Sequence, residues 1–247
     1  MVLETPTGPP VWVLELAGRF WADAGGPPAG FPRDLEPPAA FAVPLTVVER
    51  PGLRVGTVID HLRGRRVPVG FDEPDRPLRA ALYCWGGFGT VFLDRDDPPD
   101  ERRFSFAHEL AHFLRDYADP RRRVTHALGP AAVEVLDGLR PPTTDERLHA
   151  TLRCRPLTPH CHLMGRDTDG RPRSEDERRA EADADRLACE LLAPAELFHA
   201  ETDREEVARR LVADFGLPAA VAHDYALLLL PPLAPVGLLI ARLTKSQ

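Results

Sequence analysis

The sequence predicts an α+β fold in which a small antiparallel sheet packs on a helical core. Three observations point there. Between Arg54 and Asp94, short apolar runs are separated by turn residues, the pattern of short strands. Directly after them Phe104, Ala107, Leu110 or Ala111, Leu114 and Tyr117 recur at helical spacing. A second helical pattern runs from Glu175 to Leu192, with Ala180, Ala184, Leu187, Ala188 and Leu191 on one face.

Residues 1–50 mix apolar pieces such as Val11-Trp12-Val13-Leu14 with Gly25-Gly26-Pro27-Pro28 and Pro37-Pro38, and read as an irregular N-terminal arm. A domain over 51–200 follows. Its strands Ala80–Trp85 and Thr90–Leu93 flank Gly86-Gly87-Phe88-Gly89, which reads as a hairpin. Asp97 ahead of Pro98 and Pro99 reads as a helix cap, because proline in the first turn needs no amide donor. The helix that follows is expected to run roughly five turns. The stretch of about 118–174, rich in Pro, Arg and Gly, reads as a loop-rich insertion with one helical piece near Ala131–Leu139. Pro194 closes the helix that starts at Glu175. Over 201–247 a helix pair and tail are expected to pack on the domain. Asp203 and Glu206 have capping-box spacing, Gly216 ends the first helix, and Pro218 opens the second. The apolar stretch Ala226–Ala241, broken by Pro231, Pro232 and Pro235, reads as a buried helix followed by a strand or loop.

Composition narrows the function classes. The 247 residues carry a net charge of −7, and an acidic surface repels phosphate backbones, so no direct nucleic-acid partner is expected. The pair over 204–230 has helix-turn-helix length, yet its second helix opens Pro-Ala-Ala-Val-Ala-His-Asp-Tyr, without the Arg, Asn, Gln or Ser that read bases. Core packing explains it better. The apolar stretches are too short and interrupted to span a bilayer, and the N-terminus lacks a signal-peptide pattern, so a cytoplasmic protein is expected. The cysteines Cys84, Cys154, Cys161 and Cys189 show no repeated CxxC spacing, which fits free thiols.

Chemistry concentrates in Arg103–His112, which contains His108-Glu109-Leu110-Ala111-His112, an H-E-x-x-H pattern. Histidines four apart on a helix share a face, so both imidazoles can meet one metal ion. Glu109 between them can reach a water activated there and act as general base. A catalytic zinc needs three protein ligands and an open position. A third histidine close downstream is not indicated, because Arg115 stands where the metzincin glycine belongs. On the helix from Glu175, Glu181 and Asp185 are four apart. Glu181 is the favoured third ligand, with Glu177 its competitor, and Asp185 is placed to hydrogen-bond the outer nitrogen of one histidine. This arrangement resembles the ligand helix of gluzincin peptidases, and gives the helical core a zincin-like character. In the insertion Cys154, Cys161, His160, His162, His126 and His149 make a second metal site conceivable, but they lack the paired spacing of structural zinc. A histidine or tyrosine there is an alternative source of an oxyanion donor.

Taken together, Arg103–His112, Glu181-Ala182-Asp183-Ala184-Asp185-Arg186-Leu187-Ala188 and Leu191-Leu192-Ala193-Pro194 resemble the ImmA/IrrE (DUF955) metallopeptidases. Ala111, Leu187 and Ala193 stand where that pattern has glycine, phenylalanine and methionine. The resemblance implies His108, His112 and Glu181 as metal ligands and Glu109 as catalytic base. It implies Zn2+ as cofactor, with Mn2+ or Fe2+ also fitting such ligands. It further implies a protein substrate, with a helix-turn-helix transcriptional repressor cut in response to stress or prophage signals as one candidate. Glu181 lies 69 positions beyond His112, longer than the resemblance implies, so an insertion beside the site is expected to bear on substrate choice. The alternative is a non-catalytic regulatory protein that keeps the fold and binds a partner through that insertion.

Overall fold

The computed structural model describes residues 8–144, 160–166 and 174–231. The expectation for the tail beyond Pro231 lies outside them, as do Cys154 and His149. The sheet has four strands: β1 (Leu45–Arg50), β2 (Leu78–Trp85), β3 (Phe88–Asp94) and β4 (His160–Gly165), in the order β1-β3-β2-β4. It is mixed rather than antiparallel. β1 pairs parallel to β3 while β2 pairs antiparallel with both β3 and β4. The reason is the connection: the chain leaves β1, forms helix α3 (Val55–Gly64) and crosses to β2, and a crossover of that kind is what parallel pairing needs.

The β2–β3 hairpin closes on Gly86 and Gly87 alone, at φ 59° and 89°. Those angles suit a two-residue turn that non-glycine residues enter at a cost. Because strand side chains alternate, the sheet has two apolar faces. Leu45, Ala80, Leu82, Cys84, Val91 and Leu93 face the main helical core, whereas Leu78, Ala81, Tyr83 and Phe92 face α3 through Val55, Val58 and Leu62. A register shift between Leu78 and Ala80 accounts for Leu78 and Ala80 lying on opposite faces.

The N-terminal arm is not irregular. Val13, Leu16, Ala17, Phe20 and Trp21 form the buried stripe of helix α1 (Val11–Asp23), which is followed by α2 (Glu36–Ala42) and β1. These segments complete the main core and supply an outer strand. The spacing of that stripe is helical; the surrounding Gly and Pro clusters masked it.

Helix α4 (Pro99–His112) continues through a π-helical turn (Phe113–Ala118) into α5 (Asp119–Leu128), a longer rod than expected. Asp97 does not cap it. Its buried carboxylate instead accepts from Arg166 at 2.5 Å, and the opening prolines leave fewer amides to satisfy. Gly89 on β3 permits the close approach of the rod, since a Cβ there would sit 2.7 Å from the Phe113 ring. Helix α6 (Ala132–Leu136) follows. The insertion is therefore not merely loops, because it also donates β4 to the sheet edge.

Helix α7 (Glu175–Leu192) packs along α4 and α1. Ser174 and Glu177 close its capping box. Helices α8 (Arg204–Ala213) and α9 (Ala219–Leu229) pack on each other and bury Val207, Leu211, Ala222, Tyr225 and Ala226. Asp203 accepts from the Glu205 and Glu206 amides as the cap of α8. No helix among the described residues is long and apolar enough to cross a membrane.

Candidate metal centre

Every residue of α4 from Phe104 to His112 is buried, held between the sheet face and α7. Helical spacing turns His108 and His112 the same way, with their Nε2 atoms 3.2 Å apart. One turn of α7 then brings Glu181 and Asp185 to the pair. Glu181 carboxylate oxygens lie 3.3 Å from His108 Nε2 and 3.5 Å from His112 Nε2. Metal–ligand bonds of about 2.0–2.1 Å put the edges of a tetrahedral donor set at about 3.3–3.4 Å. The three separations match that figure, so these side chains fit one small divalent ion.

The outer nitrogens are held as well. His108 Nδ1–H donates to Asp185 Oδ1 and His112 Nδ1–H donates to Asp116 Oδ2, both at 2.8 Å. Each bond fixes a ring and leaves its Nε2 toward the cluster. Burial opposes protonation of His108, but the Asp185 and Glu181 carboxylates overcome it and raise the imidazole to about 9. Burial pushes Glu181 up, yet its bonds to His108, His112 and His162 hold it far below the ordinary carboxylate range. These directions describe a negative field, set by the carboxylates, that favours positive charge at the cluster.

The five residues singled out from the sequence thus come together, while Glu177 stays in the capping box at the start of α7. Two further participants join them: Asp116, which the sequence reading did not single out, and His162, which it placed in a separate metal site. Asp116 stands at i+4 from His112, a spacing visible in the sequence, but it falls in the π-helical turn and drew no attention beside the arginines. His162 comes from β4. Its Nδ1–H donates to Glu109 at 2.8 Å, its Nε2 lies 3.1 Å from Glu181, and its ring stacks on His112 at 4.0 Å. Donor atoms of His108, His112, His162 and Glu181 all fall within 4.8 Å of one another.

The separate Cys/His site does not assemble among the described residues. Cys161 and Leu163 pack with the α3 side of the sheet while Met164 packs with the main core, so alternation sends Cys161 away from His160 and His162. Burial pushes the Cys161 thiol up to about 12, which makes it a poor ligand. His126 is exposed on α5.

Residues 70–134 match the Peptidase M78 family, described as the IrrE N-terminal-like domain. The match covers about a quarter of the chain and is consistent with the ImmA/IrrE resemblance. The match covers β2, β3 and α4 with His108, Glu109 and His112, suggests metallopeptidase activity, and ends before β4 and α7. No curated protein matches the chain.

Proposed function

We propose that the protein is a zincin-like, gluzincin-type metallo-endopeptidase that hydrolyses a peptide bond in a protein substrate. The observation that carries this reading is the set of separations among His108, His112 and Glu181, with Glu109 one residue along from the first histidine on the domain matched by the peptidase family. In it His108, His112 and Glu181 hold the ion, Asp185 and Asp116 orient the two rings, and Glu109 is the general base. Zn2+ is the favoured occupant, and a His/His/carboxylate set also accepts Mn2+ or Fe2+.

A bound divalent ion supplies Lewis acidity that makes water acidic enough to attack at neutral pH. The protein's own groups do the rest. Glu109 takes a proton from the attacking water on a carboxylate oxygen and passes it to the leaving amide nitrogen. Asp185 and Asp116 keep Nδ1 of each ring protonated, so neither imidazole can turn its Nε2 away. Burial of α4 excludes bulk water from Glu109, which strengthens its interaction with any charge that develops nearby.

As to substrate, a helix-turn-helix repressor is the candidate that the family resemblance supports. The test is metal analysis of the purified full chain, followed by incubation with a repressor encoded beside it. The expected result is one zinc per chain and cleavage abolished by a chelator, with Glu109→Gln retaining zinc and losing cleavage. A wild-type chain that never holds metal would refute the reading. A second reading, a non-catalytic partner-binding protein, is favoured by one observation: the Glu109 side chain is 0% exposed beneath His162.

A further inference from the structure

The donor cluster holds one more imidazole than a catalytic site needs. Three protein ligands leave a position open, while four close it and make the site structural. We infer, resting on the peptidase reading, that His162 is a fourth and displaceable metal ligand delivered by β4, so that the described form of the protein is a closed, resting state.

Three observations converge on this. First, His162 belongs to the same donor cluster as His108, His112 and Glu181, with all donor atoms within 4.8 Å of one another, and its Nε2 is 3.1 Å from a Glu181 oxygen. Second, His162 Nδ1 lies 2.9 and 2.8 Å from the two Glu109 carboxylate oxygens. Glu109 is then the carboxylate that fixes the tautomer of a ligating histidine. A general base must reach the proton it abstracts, and here the ring covers both oxygens. Third, the strand that brings His162 is an edge strand, less buried than the β2 strand it pairs with. All six residues of β4 are only half-buried, whereas the interior of β2 is almost wholly buried. Among the described residues β4 pairs on one side only, with His162 opposite Leu82. Segments with few buried contacts open at the low end of a protein's stability range.

Withdrawal of β4 would therefore do two things together. It removes the fourth donor and frees the Glu109 carboxylate. The rival role for this residue, an oxyanion donor, requires His162 to stand beside an already open site, and predicts the opposite effects of removing it.

The experiment loads the full chain with Zn2+ and counts coordinated imidazoles by X-ray absorption, while competition with a chromogenic chelator gives zinc affinity and an unfolded protein such as casein reports cleavage. Wild type is expected to show three imidazoles and slow cleavage. His162→Ala and the bulkier His162→Gln are expected to show two, to bind zinc at least tenfold more weakly, since losing a ligand's supporting partner already costs about 10–100-fold, and to cleave faster. His160→Ala is expected to keep three. Two imidazoles in wild type with unchanged affinity in both His162 variants, or cleavage that falls in them, overturns the inference and leaves the peptidase reading standing. A wild-type chain that takes up no zinc overturns both.

Discussion

The two carboxylates behind the histidines offer a quantitative test of how burial controls a metal site. Asp116 and Asp185 accept from His112 and His108 at the same distance, 2.8 Å, but the Asp116 side chain is 8% exposed and the Asp185 side chain 52%. Replacing either by Asn keeps the shape and an acceptor while removing the charge. Loss of such a partner costs about 10–100-fold in metal affinity, or about 1.4–2.7 kcal/mol. Within that range the environment decides. The effective dielectric is about 20 near a protein surface and about 80 in water, so the half-solvated Asp185 should be worth well under the buried Asp116. Asp116→Asn is expected to weaken Zn2+ binding by about 30–100-fold, and Asp185→Asn by about tenfold or less. Chelator competition at fixed pH and salt measures both, with far-UV circular dichroism to confirm that each variant folds. Equal losses, or a larger loss at Asp185, would refute the reasoning, because distance rather than desolvation would then set the coupling.

Other outcomes follow from the packing. Gly89→Ala places a methyl group against the Phe113 ring and is expected to destabilise by about 1–3 kcal/mol in urea unfolding; an unchanged midpoint would mean that the ring moves freely. Asp94→Asn removes a carboxylate that accepts from the Gly52 and Leu53 amides and from Arg166, and should cost about 2–4 kcal/mol by the same assay. Burial raises the thiols of Cys84 and Cys189, so neither should alkylate in the native protein at pH 8, whereas both should after unfolding.

How much of this was legible in the sequence depended on whether the signal was local. The bounds of α7 were readable because one apolar face and a closing proline agree over consecutive residues. His108, Glu109, His112, Glu181 and Asp185 were readable because helical geometry converts spacing into a shared face. The sheet was harder. Whether β1 pairs parallel or antiparallel depends on a crossover through α3, which no single segment encodes. Helix α1 was hidden because turn-formers on its C-terminal side outweighed a stripe at helical spacing. His162 illustrates the limit best. Its neighbours Cys161 and His160 invite a reading as one metal-binding run, but in a strand adjacent residues face opposite ways, and only pairing with β2 shows that the two histidines, not Cys161, face the main core.

The same strand suggests how the closed state is held. Arg166 follows β4 directly and donates to Asp94, which is almost wholly buried, and to Asp97 at 2.5 Å. Burial pushes the Asp94 carboxyl up, but the Asp96 amide and the Arg166 guanidinium outweigh that and hold it below its ordinary value. Arg166→Ala should therefore destabilise by about 1–3 kcal/mol at neutral pH, the lower part of the range for stranding a buried charge because Arg166 is partly exposed. The sign with pH follows from the depressed carboxyl. A group whose folded value lies below its unfolded value contributes stability above the unfolded value, about 3.9, and loses it as pH falls through the folded one. The gap between wild type and Arg166→Ala should be full at pH 7 and narrow below about pH 4. If β4 is the latch, the same variant should cleave an unfolded protein faster than wild type at pH 7 while its three candidate imidazoles remain in the chain. A gap that persists undiminished to pH 3 would assign Arg166 to packing, and unchanged cleavage would separate the anchoring of β4 from the opening of the site.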